Sequence, residues 1–288
     1  MESLLQSIED WFRGILLSGI TSNMSNVFDS VNVQVGQIAN QVEKTPFTFS
    51  PTIFSMIQNL SENVIMPIAG LILTFIACYE LIQLVISHNN LANFETWIFF
   101  KWIFKTFLAV TLITNTMNIT MAVFDVAQYV VKAAGGIITE STYVDPEGFE
   151  NFQYFLEMQT TGELFSIFLQ TFIIQFLIYI LSALIYVIVM ARMIEIYLMI
   201  SLAPIPFSTF GNKEQSIIGQ NYLKSLFALG FQGFLIMVCV AIYAVLIQNV
   251  AFTANIVGSL WKVIMITILL CFTLFKTGTV AKSILHAH

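Results

Sequence analysis

Residues 164–203 read LFSIFLQTFIIQFLIYILSALIYVIVMARMIEIYLMISLA, and only Arg192 and Glu195 in that stretch are charged. A hydrocarbon core about 30 Å thick needs ~20 apolar helical residues. This run is roughly twice as long as one crossing requires, and it contains no turn residues that would fold it into a hairpin. It reads as one full span to about Val189, with Arg192 at the far interface. Residues 193–203 then either prolong the helix or lie re-entrant against other helices. Pro204 and Pro206 end the run, because proline lacks an N–H and its ring collides with the carbonyl four residues back.

The rest of the chain agrees. Of 288 residues, 57% are hydrophobic and 10% charged, against about 25% charged in an ordinary soluble domain. The mean hydropathy is +0.83. So few polar side chains cannot cover a soluble core of this size. The fold class is therefore all-α, a polytopic membrane protein of about five transmembrane helices. The other four spans are expected near Val64–Ile86, Trp97–Met117, Tyr222–Ile247 and Val257–Phe275. Pro67 falls in the first turn of its span, where proline costs little.

Outside the spans, residues 3–20 read as an amphipathic helix, with Leu4, Leu5, Ile8, Trp11, Phe12, Ile15 and Leu16 on one face. Such a helix lies in the membrane interface or packs on a partner. Residues 22–44 read as a second, weaker amphipathic helix, and Pro46 and Pro51 then punctuate the chain. The first twenty residues carry Glu2, Glu9 and Asp10, which is not the n-region of a signal peptide. Residues 119–134 continue the second span as a more polar helix that Gly135-Gly136 ends. Residues 137–163 hold six carboxylates and no Lys or Arg. The expected organisation is an amphipathic region over 1–50, two spans over 51–118, an acidic external loop over 119–163, and three spans with a tail over 164–288.

Five spans place the termini on opposite sides. One side then holds Lys101, Lys105, Arg192, Lys213, Lys224, Lys276 and Lys282 against four carboxylates, net +3; the other nets −9. The basic side is cytoplasmic by the positive-inside rule, giving N-out and C-in.

Ionisable groups within spans are costly and face a partner or water. Glu80 and Lys105 lie at similar depths on spans joined by a short loop, so they are expected to form an intramembrane ion pair or to snorkel separately. Arg192 and Glu195, three apart, share a helix face. They either line a polar seam or gate at the cytoplasmic mouth, or form an interfacial ion pair that sets helix depth. The cysteines Cys78, Cys239 and Cys271 sit singly in apolar runs and read as small buried hydrophobes.

No Walker loop, HExxH, nucleophile elbow or histidine–cysteine cluster occurs in the sequence. No catalytic, cofactor or metal site is expected. Two function classes remain, a subunit of a larger membrane assembly and an autonomous small-solute transporter or channel. No internal repeat and no charged site at mid-span favour the former, since carriers are commonly built from repeats around a midplane site. A toxin-secretion or competence component of the same architecture is a weaker third reading.

The stretch Ala191-Arg192-Met193-Ile194-Glu195-Ile196-Tyr197-Leu198-Met199-Ile200-Ser201-Leu202-Ala203-Pro204-Ile205-Pro206 resembles the core of the TrbL-like conjugal transfer proteins, polytopic inner-membrane subunits of type IV secretion systems. Phe207-Ser208-Thr209-Phe210-Gly211, Asn221-Tyr222-Leu223-Lys224 and Phe231-Gln232-Gly233 resemble the branch found in Gram-positive conjugative elements. The likeness covers roughly residues 60–280. It implies a non-enzymatic, homo-oligomeric channel or scaffold subunit in the bacterial cytoplasmic membrane. The partners it implies are ATPases, other secretion subunits, and single-stranded DNA carrying its relaxase. Pro204 and Pro206 carry over as a helix break, and Arg192 and Glu195 as a gate or seam. The acidic external face would repel phosphates, so the candidate cytoplasmic DNA contacts are Lys213, Lys224, Lys276 and Lys282.

Overall fold

The computed structural model describes residues 2–87, 96–138, 153–250 and 256–287, and among these no strand occurs. The helices are α1 Glu2–Val42, α2 Pro46–Phe49, α3 Pro51–Leu60, α4 Met66–Ser87, α5 Thr96–Thr114, α6 Thr116–Ile138, α7 Thr161–Leu202, α8 Pro204–Ser208, α9 Ser216–Gln248 and α10 Ile256–Ile284. A π turn over Ser61–Ile65 joins α3 to α4. Five segments are long and apolar enough to cross a membrane: Pro51–Ile86, Thr96–Thr114, Thr161–Gly211, Ser216–Gln248 and Trp261–Ile284. A short polar turn expected to begin at His88-Asn89-Asn90, residues 251–255 of a turn expected over Asn249–Asn255, and 139–152 of the acidic stretch lie outside the described residues.

Two boundaries differ from the sequence reading, and one open alternative resolves to a longer helix. The two amphipathic helices expected over 3–20 and 22–44 are one helix of 41 residues. Nothing between Ile20 and Met24 breaks it, and Leu16, Ile20, Met24, Val27, Ile38 and Val42 form one buried stripe across the expected junction. Gly135-Gly136 does not stop α6, which continues to Ile138; glycine in a helix costs only ~1 kcal/mol relative to alanine. Residues 193–202 extend α7, making it 42 residues long, or about 63 Å at 1.5 Å per residue.

The chain divides into two compact units of three segments each. The first comprises Met1–Val42, Lys132–Val189 and Leu235–Thr277. Within it α1 lies against α7. Thr161 Oγ1 donates to Glu9 Oε1, Asn23 Nδ2 donates to Thr171 Oγ1, and Gln34 Nε2 donates to Ser182 Oγ. These pairs are separated in sequence by 152, 148 and 148 residues. A near-constant offset means that the two helices run in the same direction. Gly19 permits the contact, since a Cβ there would stand 2.5 Å from the Phe168 ring. Elsewhere in this unit Tyr243 and Thr267 share a buried hydroxyl–hydroxyl bond between α9 and α10.

The second unit comprises Glu43–Val131, Met190–Phe234 and Gly278–His288. In it α4 and α5 form an antiparallel hairpin, with Trp102 Nε1 donating to the Ala77 carbonyl at 3.0 Å. The outward faces of this hairpin carry Leu71, Phe75, Phe104 and Phe107, all exposed, as suits side chains that meet lipid. Its buried core joins Phe54, Leu73 and Ile113 to Met193, Tyr197, Ile200, Phe207 and Leu226.

Candidate functional site

The polar and irregular features of the second unit gather where α7 gives way to α9. Pro204 and Pro206 stop α7 at Leu202, and the chain makes a short helix, a 3-10 turn over Thr209–Gly211 and an N-capping loop before α9 starts at Ser216. The connection between the third and fourth expected spans is structured, and its first part is largely buried. Phe207, Ser208, Thr209, Gly211 and Asn212 are all buried. A Cβ on Gly211 would lie 3.2 Å from Leu73 Cδ1 of α4 and 3.6 Å from Ala109 Cβ of α5. The tip of the break is therefore seated in the cleft of the α4–α5 hairpin, beside the middle of α4.

Irregular backbone at membrane depth survives only where protein satisfies its polar groups. Here the side chains of the turn do so. Ser208 Oγ donates to the Ile205 carbonyl at 2.6 Å and Thr209 Oγ1 to the Pro206 carbonyl at 2.7 Å. Thr209 Oγ1 in turn accepts the amide of Gly219 at 3.1 Å. Asn212 Oδ1 accepts from the amides of Glu214 and Gln215, capping α9. Gly219 must be glycine, because a Cβ would sit 2.8 Å from the Pro206 carbonyl oxygen and 2.7 Å from the Phe210 ring.

Below the turn, Arg192 is 6% exposed. Its Nε donates to the Leu229 carbonyl at 3.3 Å and its Nη2 to the Gly230 carbonyl at 3.4 Å, both on α9. Gly230 also permits the close approach of α6, since a Cβ there would be 2.8 Å from Ala127 Cβ. Glu195 turns the other way and accepts from Lys282 of α10 at 2.9 Å, with both side chains 44% exposed. The structure thus gives Arg192 and Glu195 different partners. Their three-residue spacing separates them by about 60° around the helix; α9 takes one and α10 the other. Two tyrosines pin α7 from either side, Tyr197 Oη to the Pro46 carbonyl at 2.7 Å and Tyr222 Oη to the Met199 carbonyl at 2.8 Å.

Glu80 and Lys105 are brought together across the α4–α5 hairpin, Nζ to Oε1 at 2.5 Å, with the Glu80 side chain 12% exposed. Of the four lysines singled out as DNA contacts, Lys282 is engaged by Glu195. Lys213 and Lys224 are exposed on the second unit and Lys276 on the first. Thr209, Asn212, Gly219 and Gly230 were not anticipated. The sequence signal for the first three is small and polar residues in the stretch after Pro204 and Pro206.

A family model described as TrbL/VirB6 plasmid conjugal transfer like protein matches residues 31–204. That is more than half of the chain. The chain belongs to the TrbL/VirB6 plasmid conjugal transfer family. The match takes in Glu80, Lys105, Arg192, Glu195 and Pro204, and stops at the helix break; α9 and α10 lie beyond it. The membership makes the protein a multi-pass subunit of the cytoplasmic membrane within a conjugative transfer system, associated with other subunits of that machinery. The family is a structural component of such systems. No curated protein and no solved structure matches the chain.

Proposed function

We propose that this subunit is a channel or scaffold through which a conjugative type IV secretion machine passes single-stranded DNA and its relaxase across the cytoplasmic membrane. It works as a homo-oligomer beside the ATPases that drive transfer, with its N-terminus outside, its C-terminus inside, and residues 119–163 forming an external acidic loop. The observation that carries this reading is the proline-broken turn between α7 and α9, seated in the α4–α5 cleft with its backbone polar groups met by its own side chains. In a conjugal transfer protein such an element supplies a rigid hairpin tip at which a path can be gated. Arg192 and Glu195 support it from α7, and Lys213 and Lys224 offer exposed cations to phosphates.

The test is a mating assay on a clean deletion complemented in trans, with crosslinking of the rescuing protein to DNA in transit. Loss and rescue of transfer is expected, with crosslinks near Lys213 and Lys224. Normal transfer without the gene would overturn the proposal and direct attention to uptake of small solutes in vesicles.

A further inference from the structure

The surface of α1 has no place in that account. Between Gly14 and Val42 its only charged residue is Asp29, yet the segment is rich in Ser, Thr, Asn and Gln. Its buried stripe packs within the first unit. The opposite side exposes Ser18, Ser22, Ser25, Asp29, Val33, Gly36 and Asn40, spaced by three or four residues, which is one helix face, polar or small except at Val33. From Ser18 to Asn40 that face is about 33 Å long, the thickness of a hydrocarbon core.

α1 runs alongside residues 161–182 of α7 in the same direction. On its outer side that part of α7 exposes Phe165, Leu169, Phe172 and Phe176. On α10 the same unit exposes Met265, Leu269 and Phe272. Both helices belong to segments apolar enough to span a membrane, so these rings meet lipid. The polar face of α1 then lies at bilayer depth, where hydroxyls, amides and a carboxylate turned to lipid would each cost free energy. The face must turn to water.

Two cavities beside α1 have room and polar groups for water, one at its exposed face and one between α1 and α7. One, of about 590 Å³, is lined by Ser18, Ser22, Ser25 and Asn26 with Gln153 and Glu157. The other, of about 190 Å³, is lined by Gln34, Gln37, Gln41, Ser182 and Tyr186. The side-chain oxygens of Gln34 and Gln41 are buried there without a hydrogen-bond partner among the described residues, and Gln34 is 6% exposed. A buried amide oxygen is normally hydrogen-bonded, and the space admits several waters at about 30 Å³ each.

From this geometry we infer that α1 is the wall of an aqueous conduit through the membrane, with its Ser/Asn/Asp face on the lumen and the enclosure completed by further copies of this chain. The inference rests on the channel reading above and adds which surface meets the cargo. One helix cannot enclose a path, so the site is incomplete in a single copy. Hydroxyl and amide groups keep such a path hydrated, and the Asp29 carboxylate disfavours close approach of phosphates to this wall.

The test uses the full chain in its membrane with Cys78, Cys239 and Cys271 replaced by alanine. Single cysteines are introduced at Ser22, Ser25 and Asn40, and at Leu169 and Phe176 on the lipid face. A charged, membrane-impermeant thiol reagent should modify the α1 positions at least about tenfold faster, because only a hydrated thiol ionises readily. Oxidation of Ser25→Cys should link copies of the chain. Equal reactivity at both sets would mean that this unit stands in water, and protection of the α1 set would mean that protein covers it; either overturns the inference. The labelling contrast retained in a protein whose deletion leaves mating normal would keep the conduit and remove its DNA cargo.

Discussion

Exchanging the partners of the Glu80–Lys105 pair isolates a single interaction across the α4–α5 hairpin. The two groups meet at 2.5 Å, with side chains 12% and 38% exposed. Opposite charges about 4 Å apart attract by ~4 kcal/mol at an effective dielectric of 20 and by ~1 kcal/mol in water. Partial exposure of Lys105 places the pair between these limits, and polar contacts between membrane helices are typically worth about 0.6–1.7 kcal/mol. A coupling near 1.5 kcal/mol is therefore expected, roughly tenfold in an equilibrium constant. Glu80→Lys removes the attraction and sets two ammonium groups side by side. Lys105→Glu does the same with carboxylates. Each single variant should lose stability in detergent unfolding and lower the amount of assembled protein. The double exchange should recover most of the loss, since it restores one cation and one anion to the same sites. A double variant no more stable than the worse single one would show that the two groups contribute separately and that the hairpin owes its register to packing alone.

Replacing Pro204 and Pro206 by alanine together should let α7 run on past Leu202, draw Gly211 out of the α4–α5 cleft and reduce transfer; mating frequency and cysteine crosslinking between positions 73 and 211 read both effects. Gly219→Ala forces a Cβ to within 2.8 Å of the Pro206 carbonyl oxygen and should cost about 1–3 kcal/mol, measurable as a lowered denaturation midpoint, whereas Gly36→Ala, with nothing within 4 Å, should not destabilise. Arg192→Met keeps the length of the stem but removes a buried cation bonded to two α9 carbonyls. Because burying a charge offsets much of what its hydrogen bonds contribute, the variant should stay within about 1 kcal/mol of the parent in unfolding while transfer falls. Transfer at the parental frequency would remove Arg192 from the mechanism.

Much of the architecture was legible because it rests on local properties. Hydropathy over a window of about 20 residues reports a crossing wherever the chain places it; four described spans fall where expected, and the first helical segment extends back to Pro51. The meeting of Glu80 and Lys105 follows from a short connection, which leaves an antiparallel neighbour as the nearest one. Amphipathic continuity in α1 was harder to see. The two expected helices meet among the polar residues 21–26, and serine, threonine and asparagine are only weak helix formers, not stops.

For this protein the sequence alone determined the solvent, the helical class, the end of α7 at its prolines and the family, since each depends on composition or on residues adjacent in the chain. The tertiary structure decided the rest. It gave Arg192 to α9 and Glu195 to α10, although both lie on one helix three residues apart. It laid α1 parallel to a helix about 148 residues away, and it seated the turn at Gly211 between α4 and α5. Which neighbour a side chain finds is a property of three-dimensional packing, and the spacing of residues along one helix carries no information about it.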